Sequence, residues 1–260
     1  MEIRRALPGD LEPALHVMAR AFGTPYQVPS VHTLVAGAPG GHLLVAVAGD
    51  AVVGTAAAVS FGATGWLGGV TVAPEARGSG LGAVLTEAAL DALGEHETVS
   101  LLATPAGRPI YERLGFVPEL EYRVFSPAED RAPRSSDGLV PADRELVLAL
   151  DREATGEDRA LALDAGLERA LATPDGAGFA LRPPWSARPI VARDPAAGAA
   201  LLAATLEPGL RLAAPVVNAP AMAALAALAR PQRGVVRMRR GAPIAWRPEQ
   251  VWGVFALFFG

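Results

Sequence analysis

The stretch "VTVAPEARGSGLGAVLTEAAL", residues 70–90, decides how this chain is read. Gly78, Gly80 and Gly82 stand at alternate positions between a valine-rich run and a helical one. Glycine loses more conformational freedom on ordering than any other residue, so three of them in one hinge suggest that something approaches the backbone closely. A strand that ends, turns through glycines and opens a helix points several N–H groups at one place. The positive end of the helix dipole points there too. The stretch therefore predicts a cradle for a phosphate or pyrophosphate, the alternative being a plain flexible connection.

Composition narrows the chemistry. The 260 residues are 51% hydrophobic and 19% charged, as in globular proteins, and long enough for one large domain or two ordinary ones. A net charge of −4 argues against nucleic acid as a partner. There is no cysteine, which excludes disulfides, thiolate metal sites and a Cys nucleophile. All the basic residues besides histidine are arginine, so a P-loop lysine and a Schiff-base lysine are excluded as well. This usage points to a high-GC bacterial genome. "MEIRRALPGDLEPAL" has no apolar core of signal-peptide length, and the apolar run 43–61 is broken by Gly49-Asp50. A cytoplasmic protein with no membrane partner is expected.

Hydrophobic periodicity lays out the elements. A short strand precedes a helix with Asp10 at its N-cap and Leu11, Leu15, Met18 and Phe22 on one face. Strands follow at 42–48, 51–61 and 66–73, then the glycine hinge and a helix to about Leu93, with Gly94 suited to C′. "TVSLLA" is a strand, "RPIYERLG" a short helix with Pro109 at N1, and strands occupy 116–125. "SPAEDRAPRSSDG" is polar and aperiodic, a linker. Beyond it a similar order returns. "ADRELVLAL" and "EDRALALDAGLERALA" read as helices, "GFALR" and "RPIVA" as strands, "AAGAALLAATL" as a helix opened by Asp194-Pro195. "LRLAA", the helix "APAMAALAALA", "GVVRMRR" and a last apolar strand "VWGVFALFF" complete the chain. Two α/β (α+β) domains that are distant copies of one plan are expected: residues 1–126, a linker 127–139, and residues 140–260.

Three anion-binding patterns compete for the hinge. A Walker A loop needs Gly-Lys-Ser/Thr and fails outright. A dinucleotide fingerprint G-x-G-x-x-G/A is formally met by Gly78, Gly80 and Ala83, but Pro74 to Arg77 separate it from its strand. The next strand ends "LLAT", without the acid that pattern wants. The third pattern spans the whole stretch: Val72, Pro74, Arg77, Gly78, Gly80 and Gly82, followed at suitable spacing by "ATPAGRPIYERLGF", residues 103–116. It resembles the acyl-CoA loop of the GNAT superfamily of N-acyltransferases, whose core Arg-x-x-Gly-x-Gly is matched by Arg77, Gly80 and Gly82. The second segment resembles that superfamily's strand end, short helix and Tyr-Glu-x-x-Gly-Phe. The resemblance covers about residues 1–125.

The resemblance implies two GNAT-like domains, each a mixed, mostly antiparallel twisted sheet flanked by helices. It implies acetyl-CoA as cosubstrate, with the backbone of Val70, Thr71 and Val72 beside the pantetheine arm. The amides of Arg77, Gly78, Ser79, Gly80, Leu81 and Gly82 would hold the pyrophosphate, and Tyr111 would stand near the sulfur as general acid. It implies direct transfer of an acetyl group to a primary amine, which suits a chain without cysteine. No base is legible, because the strand before the loop, "WLGGVTV", carries no carboxylate. His16, His32, His42 and His96 are scattered and read as surface or structural residues, and no spacing suggests a metal site.

In the second copy, "RDPAAGAALL" stands where the loop should recur, with one glycine and a helix opened at once by Asp194-Pro195. This half is expected to bind no CoA and to serve the acceptor side, as in tandem bacterial members with a degenerate second domain. "LDREATGEDR", with Asp151, Glu153, Glu157 and Asp158, reads as solvated helix-end charges, the alternative being pocket lining. Asn218 reads as a helix cap, and "RMRRG" as a strand end with outward arginines. The function expected is N-acetylation of a small-molecule amine by a monomer or homodimer. The rival is a CoA-binding regulator that has lost catalysis.

Overall fold

The computed structural model describes residues 1–23, 30–130 and 135–260. In the first half β1 (Glu2–Arg5) leads through a 3-10 turn into α1 (Leu11–Phe22), followed by α2 (Val31–Gly37), a helix not read from the sequence. A meander follows: β2 (Gly41–Ala48), β3 (Ala51–Phe61) and β4 (Thr64–Val72). Next come α3 (Leu81–Leu93), β5 (Thr98–Ala103), α4 (Arg108–Arg113) and β6 (Val117–Pro127). The second half holds β7 (Val140–Pro141), α5 (Arg144–Thr155), α6 (Ala160–Leu163), β8 (Leu171–Ala172), β9 (Gly178–Ala180) and β10 (Ile190–Ala192). It ends with α7 (Pro195–Thr205), β11 (Leu212–Pro215), α8 (Ala219–Leu228), β12 (Ala229–Gly241) and β13 (Val251–Gly253). Part of the expected linker, residues 131–134, lies outside the described residues.

The fold class is as expected, a mixed α/β molecule with two sheets. Membership of the sheets does not follow the halves. The large sheet runs β1-β2-β3-β4-β5-β12-β6-β11, so β12 from the second half lies between β5 and β6 and pairs antiparallel with both. The smaller sheet, β13-β10-β9-β8-β7, is antiparallel throughout.

Two features of β4 position the site. It pairs in parallel with β5 only over Thr64–Trp66 against Thr98–Ser100, although both strands continue, so the two diverge from there. It also bulges: Gly68 faces Ala57 and Thr71 faces Thr55, which places Gly69 and Val70 opposite one residue. Gly69 takes φ +59, a left-handed conformation that glycine adopts without a Cβ penalty. The Thr55 hydroxyl donates to the Gly69 carbonyl at 2.7 Å, and the Thr55 and Thr71 hydroxyls lie 2.6 Å apart, locking the bulge.

Several local expectations are corrected. The Asp10 carboxylate does not cap α1; it takes the Leu7 N–H at 2.7 Å and the Arg4 guanidinium, fixing the 3-10 turn before the helix. "EDRALALDAGLERALA" is one α turn followed by a 3-10 turn, Asp164–Arg169. In "VWGVFALFF" only Val251–Gly253 pair as strand. The remainder turns back on itself, with Phe255 N–H donating to the Gly260 carbonyl at 2.9 Å and Phe255 and Phe259 buried in the core. Arg237 does not point outward. It is 3% exposed and stacks between Trp66 and Trp246, at 5.2 and 4.1 Å from their ring centroids.

Candidate functional site

The hinge is built as an anion cradle would be. After β4 a 3-10 turn, Pro74–Ala76, carries the chain to Arg77, whose Nε donates back to the Val72 carbonyl at 3.2 Å. Gly78 and Gly80 take φ +81 and +82, and Gly80 is the N-cap of α3 with no side chain closing the helix end. Among the described residues, the N–H groups from Gly78 to Gly82 donate to no protein acceptor. Ser79 turns its hydroxyl to the Ala76 carbonyl at 2.8 Å. Five free amides at a helix N-terminus suit an oxyanion.

The loop opens into a cavity of ≈ 1160 Å³. Its walls include Val70, Thr71, Val72, Arg77, Gly78, Gly80, Leu81 and Gly82, together with Tyr111. Of the expected cofactor-binding residues only Ser79 is not part of the wall. The cavity follows the edge of β4 that β5 leaves unpaired, where an extended ligand can exchange backbone hydrogen bonds as an added strand would. Tyr111 stands on α4, its ring set edge-on to Phe116 at 6.1 Å. Burial pushes its phenol up to about 12, so it remains a hydrogen-bond donor at neutral pH.

The second half supplies part of the cavity wall. Trp185, Ser186, Arg211, Arg233, Leu257 and Phe258 all line it. Phe258 lies over the β4 bulge, its carbonyl and Cβ filling the space that a side chain at Gly68 would need. Beside it stands His32, which sequence reasoning left among scattered histidines. Its Nε2 is buried without a hydrogen-bond partner, and a Cβ on Gly69 would fall 2.5 Å from that atom. The ring packs on Phe258 at 4.7 Å, and burial lowers its pKa to about 4, so it is neutral at pH 7. Only the absence of a side chain at Gly69 lets the imidazole come so near β4.

Asp151, Asp158 and Asn218 do not line the cavity. The Asp151 carboxylate is buried and bidentate to Arg159, at 3.0 and 2.5 Å. Asp158 pairs with Arg152 on the surface. Asn218 caps α8, accepting the Ala221 N–H at 3.0 Å and donating to the Val251 carbonyl at 2.9 Å. At α7 the Asp194 carboxylate takes the N–H groups of Ala196 and Ala197, both at 2.9 Å, so this helix end is closed by its own aspartate. Among the described residues no group of three His, Asp or Glu could hold a metal ion, and no helix is long and apolar enough to cross a membrane.

Comparison with known proteins agrees with this geometry. Residues 39–118, within the first half, match the family described as the acetyltransferase (GNAT) domain. No curated protein sequence matches it. Among solved structures, a Pyrococcus horikoshii protein provisionally assigned as an acetyltransferase superposes with TM-score 0.86 at 24% identity, over 100% of this chain and 95% of that one. A GCN5-related N-acetyltransferase from Sphaerobacter thermophilus superposes with TM-score 0.61 at 18% identity, over 95% and 98% of the two chains. One from Anabaena variabilis gives 0.56 at 15%, over 92% and 72%. At these identities the likeness is one of fold.

Proposed function

We propose that the protein transfers an acetyl group from acetyl-CoA directly to the primary amine of a small molecule. The observation that carries this reading is one continuous cavity. It joins five free amides at a helix N-terminus to an unpaired strand edge, a protonated tyrosine and a wall supplied by the second half. The division of labour follows: residues 1–126 hold acetyl-CoA and residues 140–260 complete the acceptor side. The walls that the second half adds, with Trp185, Arg211 and Phe258, favour a small acceptor over a protein tail.

The amine nitrogen attacks the thioester carbonyl, the C–S bond breaks, and the proton lost by the amine balances the one gained by the thiolate. Tyr111, at about 12, is a weaker acid than a thiol, near 8.5. It therefore acts on the departing sulfur chiefly as a hydrogen-bond donor, an interaction with a charged group contributing about 1.5–3 kcal/mol. His32 Nε2, neutral and unpaired beside the β4 bulge, can accept a hydrogen bond from the amine, but with a pKa near 4 it is too weak a base to keep the proton. The test is thiol release from acetyl-CoA with a panel of primary amines. Steady production of CoA supports the enzyme. Tight binding of acetyl-CoA without turnover supports the rival, a CoA-binding regulator.

A further inference from the structure

The wall that the second half gives to the cavity carries two arginines, Arg211 and Arg233, to which the proposed binding of acetyl-CoA assigns no part. Arg211 precedes β11, held by its amide N–H on the Ser186 carbonyl at 2.9 Å. Arg233 sits in the bulge of β12 between Pro231 and Gly234, its guanidinium 5.7 Å from the centroid of the Phe22 ring. Both line the cavity. Among the described residues neither makes an ion pair, although Arg188 nearby pairs with Glu207 and both Arg237 and Arg239 pair with Glu119. Burial and the charge of Arg211 both lower the pKa of Arg233, and no carboxylate offsets them. Glu129, the acid on the cavity wall, bonds to neither. Arg211 is half-buried and Arg233 exposed at the cavity wall, and the repulsion of Arg211 on Arg233 is relieved when an anion enters between them.

The place of Arg233 separates it from the phosphate cradle. Arg233 lies over Phe22, Phe22 packs on Phe258 at 5.5 Å, and Phe258 covers Gly68. From Gly68 to the end of β4 at Val72 is about 13 Å of strand at ~3.3 Å per residue, and the free amides begin beyond that. The walls beside the arginines are apolar and aromatic, with Phe22, Trp185 and Phe258.

We propose that Arg211 and Arg233 form an anion subsite for the acceptor, which is accordingly an amine with an apolar body and a carboxylate or phosphate group. This rests on the acetyltransferase reading above. The planar guanidinium fork binds either oxyanion in bidentate fashion. The second half thereby gains a defined role, orienting the acceptor by its negative end.

The experiment uses the full-length protein and three amine-free probes: 3-phenylpropionate, phenyl phosphate and the neutral 3-phenylpropionamide. Each is titrated calorimetrically with and without saturating CoA. At least one anion should bind tenfold or more tighter than the amide, and the tighter anion identifies the group. Arg211→Gln combined with Arg233→Gln should remove that preference while CoA affinity changes by less than twofold. Equal affinity for all three probes, or no measurable binding of any, overturns the proposal. So does a variant that loses CoA affinity along with the anion, because the arginines would then hold the cosubstrate. If CoA fails to bind the unmutated protein, the acetyltransferase reading falls, and the titrations without CoA still decide the arginine pair.

Discussion

The His32 imidazole carries its Nε2 into a dry wall, and that has a consequence in acid. Its pKa is near 4 when folded against about 6.5 in an unfolded chain. Between those values the unfolded chain takes up a proton that the folded chain refuses. Stability contributed by the neutral ring is thus complete above pH 6.5 and lost as pH falls towards 4, by about 3 kcal/mol for a shift of this size. Urea midpoints at pH 6.5 and 4.5 should show a smaller acid loss for His32→Gln than for the unmutated protein; equal losses would refute the burial. Tyr111 shifts the other way, and its stability contribution is lost only as pH rises from 10 towards 12. Tyr111→Phe should lower kcat about ten- to a hundredfold with acetyl-CoA affinity unchanged, because one hydrogen bond to the thiolate is lost and packing is kept. Wild-type turnover in that variant would make Tyr111 a packing residue. Tyr111 stood out in the sequence because it belongs to a motif of adjacent residues. His32 did not, because its significance depends on a bulge at Gly69 and on Phe258, far away in the chain.

The turn after α5 shows what a helical reading of "LDREATGEDR" misses. Gly156, with φ +72, ends α5 and returns the chain so that Arg159 reaches Asp151, while Arg159 also donates to the Gly260 carbonyl at 2.8 Å. Trp66 of β4 donates its indole N–H to Glu157 at 2.7 Å. These charges are internal and tie the second half to the first, whereas i,i+4 spacing suggested a solvated face. Asp151→Ala leaves a buried guanidinium unpaired and should destabilise the protein by about 3–5 kcal/mol; adding Arg159→Leu should recover much of that. A loss under 1 kcal/mol in a chemical denaturation series would show the pair to be hydrated. The glycine hinge was legible for the opposite reason, being entirely local. Gly80→Val would strain a left-handed residue whatever binds there. Gly82 is the cleaner probe, since a Cβ there meets only Ile110 Cδ1 at 3.4 Å and Val72 Cγ2 at 3.9 Å, both ordinary contacts.

At the scale of the molecule, the order of elements reads from the sequence and the order of strands does not. Periodicity reports which face of a segment is apolar. It carries no information on which distant strand lies beside it, and so the place of β12 between β5 and β6 could not be read. The reading of 1–126 and 140–260 as two copies of one plan is a proposal about their ancestry. Mechanically the halves share one sheet. Removing residues 127–260 would take β12 from between β5 and β6 and leave two unpaired edges in the middle of a sheet. The full chain should therefore unfold in one transition, and the fragment 1–126 should show no cooperative unfolding. Two separated transitions in the full chain, or a stable fragment, would contradict the shared sheet.

The central claim, that the amides of Gly78 to Gly82 hold acetyl-CoA and that the Asp194-capped helix does not, is tested most directly by calorimetric titration of the full-length protein with acetyl-CoA. The measurement is made on the unmutated chain and on Gly82→Leu. One site per chain is predicted, with affinity at least tenfold weaker in a variant that still unfolds cooperatively, about 1.4 kcal/mol. Two equivalent sites per chain, or the same affinity in a folded Gly82→Leu, would contradict it.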